Sequence, residues 1–307
     1  MTDLAKKTES RPLIVLFHGL CSSPLEFNFL ANYLRENGYR VDTPTFPGYA
    51  FGGNATKWWR WVDEASHYVQ NLQAHETIPI SVGGISLGTT LALAVAARLH
   101  NIQGVIALST TLNYNGWGVP WYRVFIPFAM LLGLGDRFRY YEREPFGIKN
   151  KQIRAYIKKV LASDSISAIG GSFMTLRHMY EGNKLCQYVK TNLHQVTSSI
   201  LTIHAVDDEI ANTSNVDIVV NLSAATHKRQ IYLGNSYHMI TVDNERETVA
   251  SEVLAFLDEI YQDIHTGKIE DKIISPELQR FLRAEARAEK LTKKNAEDSN
   301  QDTLRFL

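Results

Sequence analysis

Apolar runs and amphipathic stretches alternate along most of the chain. Short runs bounded by Gly, Pro or polar residues predict buried strands at 12–17, 39–46, 78–85, 105–109, 200–206 and 230–233. Stretches with apolar residues at helical spacing follow them and predict helices at 24–37, 58–75, 87–100, 214–222 and 244–264. Strands that alternate with helices are typical of an α/β fold with a doubly wound, mostly parallel sheet.

The alternation is interrupted between residues 112 and 194, where no strand pattern occurs and the sequence is helical and rich in aromatic residues. Such a stretch is too long for a plain loop. It predicts a helical cap, or lid, over 112–194, inserted into a core formed by 1–111 and 195–265. From 266 to 307 the chain is charged, and Ser-Pro-Glu at 275–277 is typical of a helix start. We expect a helical tail there that packs on its own domain or binds a partner protein.

The composition narrows the classes of function. Hydrophobic residues make up 45% of the 307 positions, which is enough for a sizeable core. Lys and Arg together number 32, as do Asp and Glu, so no net charge favours binding to nucleic acid. Residues 1–11 lack the apolar core of a signal peptide, and the most apolar stretch, 119–135, is too short to span a membrane. We expect a cytoplasmic protein without a membrane span, for which peripheral contact with lipid stays open.

Metal and disulfide chemistry have little support in the sequence. The two cysteines, Cys21 and Cys186, are too few for a disulfide framework, and no cluster of Cys and His has the spacing of a zinc site. Cys21 is better interpreted as a small packing residue than as a nucleophile. We therefore expect neither a metal nor an organic cofactor.

The strongest chemical signal lies between the third predicted strand and the helix that follows it. Gly84-Ile85-Ser86-Leu87-Gly88 is a G-x-S-x-G pattern placed at a strand-to-helix turn. A turn this sharp strains its central residue, and the two glycines remove Cβ atoms that would clash. The hydroxyl of Ser86 is then exposed above the sheet, at a helix N-terminus that favours negative charge. The pattern predicts Ser86 as a nucleophile.

A serine hydroxyl needs an adjacent base. His238 follows the last predicted strand and precedes the final helix, which places it at the carboxyl edge of the sheet, where active sites of open α/β folds form. His204 lies inside a strand and is interpreted as a packing residue. Five further histidines lie on predicted helices or in the insertion: His67, His75, His100, His178 and His194. His238 is therefore the predicted base.

The base in turn needs a carboxylate that holds its tautomer. Asp207-Asp208-Glu209 comes directly after the strand at 200–206, again at a carboxyl end. Asp208 is favoured and Asp207 is the alternative, because spacing alone does not separate them. The chain order Ser, Asp, His is that of α/β hydrolases and differs from the orders of chymotrypsin and subtilisin.

An oxyanion formed at the nucleophile also needs two backbone N–H donors. One is expected from Leu87, directly after the nucleophile. The other is expected from Leu20, in the His18-Gly19-Leu20 turn after the first strand. His18 itself is interpreted as structural.

Four segments together resemble a known family. FHGL, GISLG, VDDEI and SYHMITVD are similar to segments of bacterial carboxylesterases and monoacylglycerol-lipase-like members of the α/β-hydrolase superfamily. The resemblance covers roughly residues 12 to 265 and is most specific at GISLG and SYHMITVD. It implies that Asp208 carries the acid role. It says little about the substrate, because the cap is the most variable part of such enzymes.

The expected function is hydrolysis of carboxylic esters of acyl or lipid-like compounds through an acyl-enzyme. The aromatic and apolar residues of the insertion predict either a lid over an acyl pocket or simple cap packing: Trp117, Trp121, Phe125, Phe128, Met130 and Leu131. A thioesterase or acyltransferase with the same triad is an alternative, as is a non-catalytic binding protein that kept the fold.

Overall fold

The computed structural model describes residues 12–76, 80–161, 170–262 and 273–274. Nine strands occur in these ranges: β1 Leu13–Phe17, β2 Arg40–Asp42, β3 Ile80–Ile85, β4 Ile102–Leu108, β5 Arg139–Tyr141, β6 Phe173–Thr175, β7 Ser199–Ala205, β8 Lys228–Leu233 and β9 Ile273–Ile274. Seven of them form one sheet in the order β2-β1-β3-β4-β7-β8-β9. Every strand pair in that sheet is parallel.

Eight α-helices connect or cover these strands: α1 Asn28–Glu36, α2 Trp58–Gln73, α3 Leu87–Arg98, α4 Ile126–Leu131, α5 Lys151–Leu161, α6 Leu176–Asn192, α7 Ser214–Leu222 and α8 Arg246–Gln262. Short 3₁₀ helices are Pro24–Phe27 before α1, Trp121–Phe125 before α4 and Leu193–Gln195 after α6. None of the helices in the described part of the chain is both long and apolar enough to cross a membrane.

Helices cover both faces of the sheet. The helices α2, α3, α6 and α7 pack on one face, where Trp61, Leu91 and Val219 lie in a common core. The helices α1 and α8 pack on the other face, where Leu34 and Phe256 are buried. This arrangement confirms the predicted doubly wound α/β fold.

The first strand shows why the apolar runs are continuous rather than alternating. All five residues of β1 are buried. Val15 and Phe17 point into the core beneath α2 and α3, whereas Ile14 and Leu16 point into the core beneath α1 and α8. A strand covered on both faces is apolar at every position, as parallel sheets require.

Two predictions about strands were wrong: one strand is shorter than predicted, and two strands occur where none was predicted. The run predicted at 39–46 forms a strand only over Arg40–Asp42, because β2 is an edge strand with a single neighbour and the chain then turns away at Pro47 and Gly48. The insertion was predicted to contain no strand, yet β5 and β6 pair antiparallel within it. Segments of three residues are too short to show an alternation that the sequence could reveal.

The last helix of the predicted insertion belongs to the packing of the core. Thr175 caps α6 through a hydrogen bond from the His178 amide. On its inner face, Leu185, Cys186 and Val189 share the core of α2 and α3. The division of the chain into core, cap and tail stays a prediction, and this packing favours a cap that ends before α6.

The charged tail is described only at β9, which pairs with β8 at the edge of the sheet. The predicted helix start at 275–277 and the rest of the predicted helical tail lie outside the described residues.

Candidate active site

The turn between β3 and α3 holds Ser86 in a strained backbone conformation. Its φ is 56° and its ψ is −124°, in a region that residues with a Cβ rarely adopt. A Cβ on Gly84 would lie 2.2 Å from the Gly88 carbonyl carbon, and one on Gly88 would lie 2.0 Å from the Phe17 oxygen. Both glycines of the pattern are therefore required by the close approach of backbone to backbone.

Hydrogen bonds from neighbouring strands hold this turn in place. The Ser86 amide donates to the Leu108 oxygen at 3.0 Å. The Thr89 hydroxyl lies 2.7 Å from both the Gly84 and the Leu108 oxygens. The strain at Ser86 is thus maintained by a rigid frame of β3, β4 and the first turn of α3.

The structure brings His238 to the end of β4, next to the Ser86 turn. The Ser109 hydroxyl donates to the His238 backbone oxygen at 2.6 Å. Ser109 directly follows Leu108, whose register partner on β3 is Ile85, the residue before Ser86. The three loops that follow β3, β4 and β8 therefore meet at the carboxyl edge of the sheet, as the topology predicts.

Asp208, and not Asp207, lies beside this histidine. Nδ1–H of His238 donates to Oδ2 of Asp208 at 2.7 Å, and both side chains are buried. Oδ1 of Asp208 accepts from the amides of Ile210 and Ala211, each at 2.8 Å. Asp207 is instead half-exposed and pairs with the Lys149 ammonium at 2.9 Å.

The pKa shifts of Asp208 and His238 agree with the hydrogen bond between them. Burial of the Asp208 carboxylate raises its pKa, but His238, helped by His204 and a backbone N–H, outweighs burial, and the net pKa lies below the ordinary range. For His238, burial lowers the pKa, while the charges of Asp208, Glu209 and Glu26 more than compensate and raise it. The imidazolium form is therefore strongly stabilised.

The other ring nitrogen of His238 is available for chemistry. Nε2 is buried and has no hydrogen-bond partner within the described residues. Because Nδ1 is engaged by Asp208, Nε2 is the atom left to exchange a proton with a reacting group. His204, the predicted packing residue, is fully buried and hydrogen-bonds the Ala211 oxygen through Nε2 at 2.7 Å.

The two predicted oxyanion donors come from adjacent elements. The amides of Leu20 and Leu87 donate to no acceptor within the described part of the chain. Their side chains meet at Gly182 of α6, where a Cβ would lie 3.1 Å from Leu87 Cδ2 and 3.4 Å from Leu20 Cδ2. Two unpaired N–H groups on neighbouring turns are a suitable arrangement for an anionic oxygen.

A buried carboxyl fixes the turn that carries Leu20. Oε2 of Glu26 accepts from the Gly19 amide at 2.7 Å. The Tyr49 hydroxyl donates to the His18 oxygen at 2.8 Å. Burial lowers the pKa of His18 to about 4, so its ring is neutral, and Nδ1 lies 2.7 Å from the Gly19 oxygen. These contacts hold the backbone of the turn rather than any substrate group.

The sequence did not identify Glu26, Glu209 or Ser109 as parts of this site. Glu26 lies on a predicted helix at a polar position that is ordinarily solvated, yet it is buried, and burial raises its pKa to about 7. Oε2 of Glu209 accepts from the His238 amide at 3.2 Å. For Ser109 and Glu209 the sequence contained a signal, because each follows the end of a buried strand, as the predicted acid does. For Glu26 it contained none.

The insertion contacts both loops that carry the Asp–His pair. The Gly118 amide donates to the Glu209 oxygen at 2.8 Å, and Nε1 of Trp117 donates to the Asp207 oxygen at 3.1 Å. The Met239 amide, next to the histidine, donates to the Gly147 oxygen at 2.8 Å. The insertion therefore forms hydrogen bonds directly with the loops that carry Asp208 and His238.

The apolar residues predicted to line a pocket or pack the insertion are largely exposed. Trp117, Trp121, Phe125, Phe128 and Leu131 all have exposed side chains, and only Met130 of the predicted set is partly buried. The packing interpretation is therefore wrong for most of this set, whereas a lid over an acyl pocket stays a prediction.

The sequence is similar to a known protein family and to characterised enzymes. Residues 8–246 match the family described as serine aminopeptidase, S33. A carboxylesterase of Bacillus subtilis is 22% identical over 253 residues, covering 80% of this chain and 92% of the relative. A thermostable monoacylglycerol lipase of Bacillus sp. strain H-257 is 24% identical over 249 residues, covering 79% and 89%.

Among solved structures, a soluble variant of monoglyceride lipase from Saccharomyces cerevisiae has the same fold. Its TM-score is 0.68 at 18% identity, over 81% of this chain and 87% of that one. The family match spans most of the chain and includes Ser86, Asp208 and His238. The chain therefore belongs to the serine aminopeptidase S33 family of α/β hydrolases and is a serine hydrolase similar to carboxylesterases and lipases.

Proposed function

We propose that this protein hydrolyses carboxylic esters of acyl or lipid-like compounds, with Ser86 as nucleophile, His238 as base and Asp208 as the acid that orients the base. One observation carries the proposal. The Nδ1–Oδ2 contact of 2.7 Å leaves the buried Nε2 of the imidazole without a hydrogen-bond partner among the described residues. The Ser109 hydroxyl binds the backbone of His238 at the end of β4, the strand next to the one that leads into the Ser86 turn. No metal or organic cofactor is needed for any step of this chemistry.

Proton transfer starts the reaction. Neutral His238 takes the proton of the Ser86 hydroxyl on Nε2 while Oγ attacks the carbonyl carbon of the ester. The imidazolium that forms is stabilised by the Asp208 carboxylate, which remains ionised. The same proton then passes to the leaving alcohol, and the acyl group stays on Ser86.

The tetrahedral intermediate places a negative charge on the former carbonyl oxygen. The unpaired amides of Leu20 and Leu87 would donate to it, and removing one such donor typically costs about 10²–10³ in kcat. Water activated by His238 then attacks the acyl-enzyme, and collapse of the second intermediate releases the acid and restores the serine. In both halves of the reaction, Asp208 would thus stabilise the imidazolium and the two backbone amides would stabilise the oxyanion.

Support for an ester substrate comes from the relatives, whose names are carboxylesterase and monoacylglycerol lipase. The insertion predicted over 112–194 would act as a lid, since Trp117 and Gly118 hydrogen-bond the loop that carries Asp208.

The test is a substrate panel measured with the wild type and with Ser86→Ala. p-Nitrophenyl esters of short, medium and long acyl chains are compared with an acyl-CoA thioester and an amide. We expect ester hydrolysis that Ser86→Ala reduces to background, whereas Ser251→Ala, on the exposed side of α8, leaves it unchanged. Faster turnover of the thioester would favour the thioesterase alternative, and activity retained by Ser86→Ala would refute the proposed nucleophile.

A further inference from the structure

A short segment of the insertion connects the two sides of the active site. It comprises residues 142–147, between β5 and α5, and we name it the bridging segment. At its first end, the Glu142 amide donates to the Ser172 oxygen at 3.1 Å. The neighbouring Gly171 amide donates to the Cys21 oxygen at 3.0 Å. This end is therefore attached to the turn that carries one of the two predicted oxyanion donors.

The other end of the bridging segment contacts the loops of the acid and the base. The Gly147 oxygen accepts from the Met239 amide at 2.8 Å, next to His238. A Cβ on Gly147 would lie 2.6 Å from Met239 Cγ and 3.4 Å from Oε1 of Glu209. The six residues therefore run from the oxyanion turn to the histidine loop.

The side chain of Glu142 has no partner of its own. It forms no hydrogen bond and no ion pair with any described residue. Burial and the charge of Glu209 raise the pKa of its carboxyl to about 7, although His238 lowers it. Arg143, next in sequence, instead lies over the Tyr140 ring, at 5.9 Å from its centre. The Glu142 carboxyl therefore interacts with the groups of the active site and is free to bind a ligand.

Carboxyl groups outnumber cations around the base. Burial lowers the pKa of His238, and the charges of Asp208, Glu209 and Glu26 raise it. Asp208 pairs with the imidazole, whereas Glu26, Glu142 and Glu209 form no ion pair in the described part of the chain. A buried carboxylate without a cation is costly. A bound cation would therefore be stabilised by this site.

A second feature shows which part of a substrate these carboxyl groups meet. Nε2 of His238 is buried and has no hydrogen-bond partner among the described residues. In the proposed mechanism this atom returns the proton to the leaving alcohol, so the alcohol oxygen lies within about 3 Å of it. Glu142 and Glu209 both interact with the same imidazole. They therefore lie on the side of the alcohol and not on the side of the acyl chain.

We propose that the site prefers esters whose alcohol carries an ammonium group, and that the Glu142 carboxylate recognises this group. The ion pair forms in a buried site, where attraction between opposite charges is stronger than in water. A neutral alcohol leaves Glu142 without an ionic partner, and a binding site discriminates against a ligand that leaves its buried polar groups unpaired. This inference rests on the proposed function and names its substrate class.

The test compares two esters of one acyl group, the choline ester and the 3,3-dimethylbutyl ester. The two alcohols have nearly the same shape, and only choline is charged. We expect kcat/KM of the wild type to be about tenfold or more higher for the choline ester. Glu142→Gln keeps the size of the side chain and removes its charge, so it should lower this ratio about tenfold.

The matched control is Glu144→Gln, two residues along the bridging segment. Glu144 is exposed and pairs with the Lys158 ammonium at 2.6 Å, so the control should keep the wild-type ratio. Circular dichroism shows whether each variant is folded. A purely structural role of Glu142 would lower both rates equally and leave the ratio unchanged.

Three results would overturn the preference for a cationic alcohol. The wild type hydrolyses both esters equally well, a folded Glu142→Gln variant keeps the full ratio, or a neutral 2,3-dihydroxypropyl ester is hydrolysed faster than the choline ester. Each of these results leaves the esterase function in place. Hydrolysis of none of the esters would instead refute the proposed function, and this inference with it.

Discussion

Replacing Asp208 by Asn probes the proposed acid more sharply than removing it. Oδ1 of Asp208 accepts two backbone amides, from Ile210 and Ala211. An amide NH₂ has no acceptor at that position, so the oxygen of Asn occupies it and the NH₂ group faces Nδ1 of His238. Nδ1 must then accept a hydrogen bond, and the ring proton moves to Nε2, where it blocks abstraction of the Ser86 proton.

The change of tautomer sets the expected size of this effect. Substitution of a triad Asp by Asn that leaves the geometry intact and fixes the wrong tautomer lowers kcat about 10⁴-fold. This corresponds to about 5.5 kcal/mol of transition-state stabilisation. The fold should tolerate the change, because both backbone amides keep an acceptor oxygen in Asp208→Asn.

The assay is steady-state hydrolysis of a soluble p-nitrophenyl ester near neutral pH, with Asp207→Asn as the matched control. Asp207 is half-exposed and pairs with Lys149, and such a surface ion pair contributes about 1 kcal/mol or less. The control should therefore retain kcat. If Asp207→Asn lost activity while a folded Asp208→Asn kept it, the assignment of the acid and the tautomer argument would both be refuted.

Three further predictions follow from the same geometry. Gly88→Ala places a Cβ 2.0 Å from the Phe17 oxygen, so we expect a lower Tm together with lost activity; a wild-type Tm would contradict the required close approach. Glu26→Leu removes the acceptor of the Gly19 amide and should lower kcat by up to about 100-fold with little change in KM, whereas Glu26→Gln should restore most of it. Equal losses in the two variants would count against this positioning role. The raised pKa of His238 means that the neutral base forms only at higher pH, so kcat/KM should rise with pH beyond the ordinary histidine range near about 6.5. If kcat/KM already stopped rising below a pH of about 6.5, this prediction would be contradicted.

The fold was predictable because its strands are buried on both faces. In β1 every side chain is apolar and buried, and the run stands out against the polar turns around it. The elbow was predictable for a related reason. Gly84 and Gly88 are dictated by backbone contacts that recur wherever a strand turns this sharply into a helix, so the local pattern carries the geometry.

Other features depend on distant contacts that no local pattern contains. Glu26 is polar and lies in a helical segment, and only the approach of Gly19 explains its burial. The two aspartates at 207 and 208 are adjacent, so only the tertiary structure shows which carboxylate reaches His238. For the strands Arg139–Tyr141 and Phe173–Thr175, pairing depends on a partner more than thirty positions away.

Exposure was the hardest property to predict. Phe128 and Leu131 have the spacing and composition of a helix face that packs inward, and the sequence offers no sign of their outward direction. The direction is set by Ile126 and the packing of α4 on α6, which is a property of the assembled domain.

The central claim is that the Ser86 hydroxyl is activated by His238. Covalent labelling with a fluorophosphonate, followed by mass mapping of the modified peptide, measures this directly. The account predicts a single adduct on Ser86 and a labelling rate that falls by orders of magnitude in a folded His238→Ala variant. An adduct on another residue, no adduct at all, or an undiminished rate without the imidazole would contradict it.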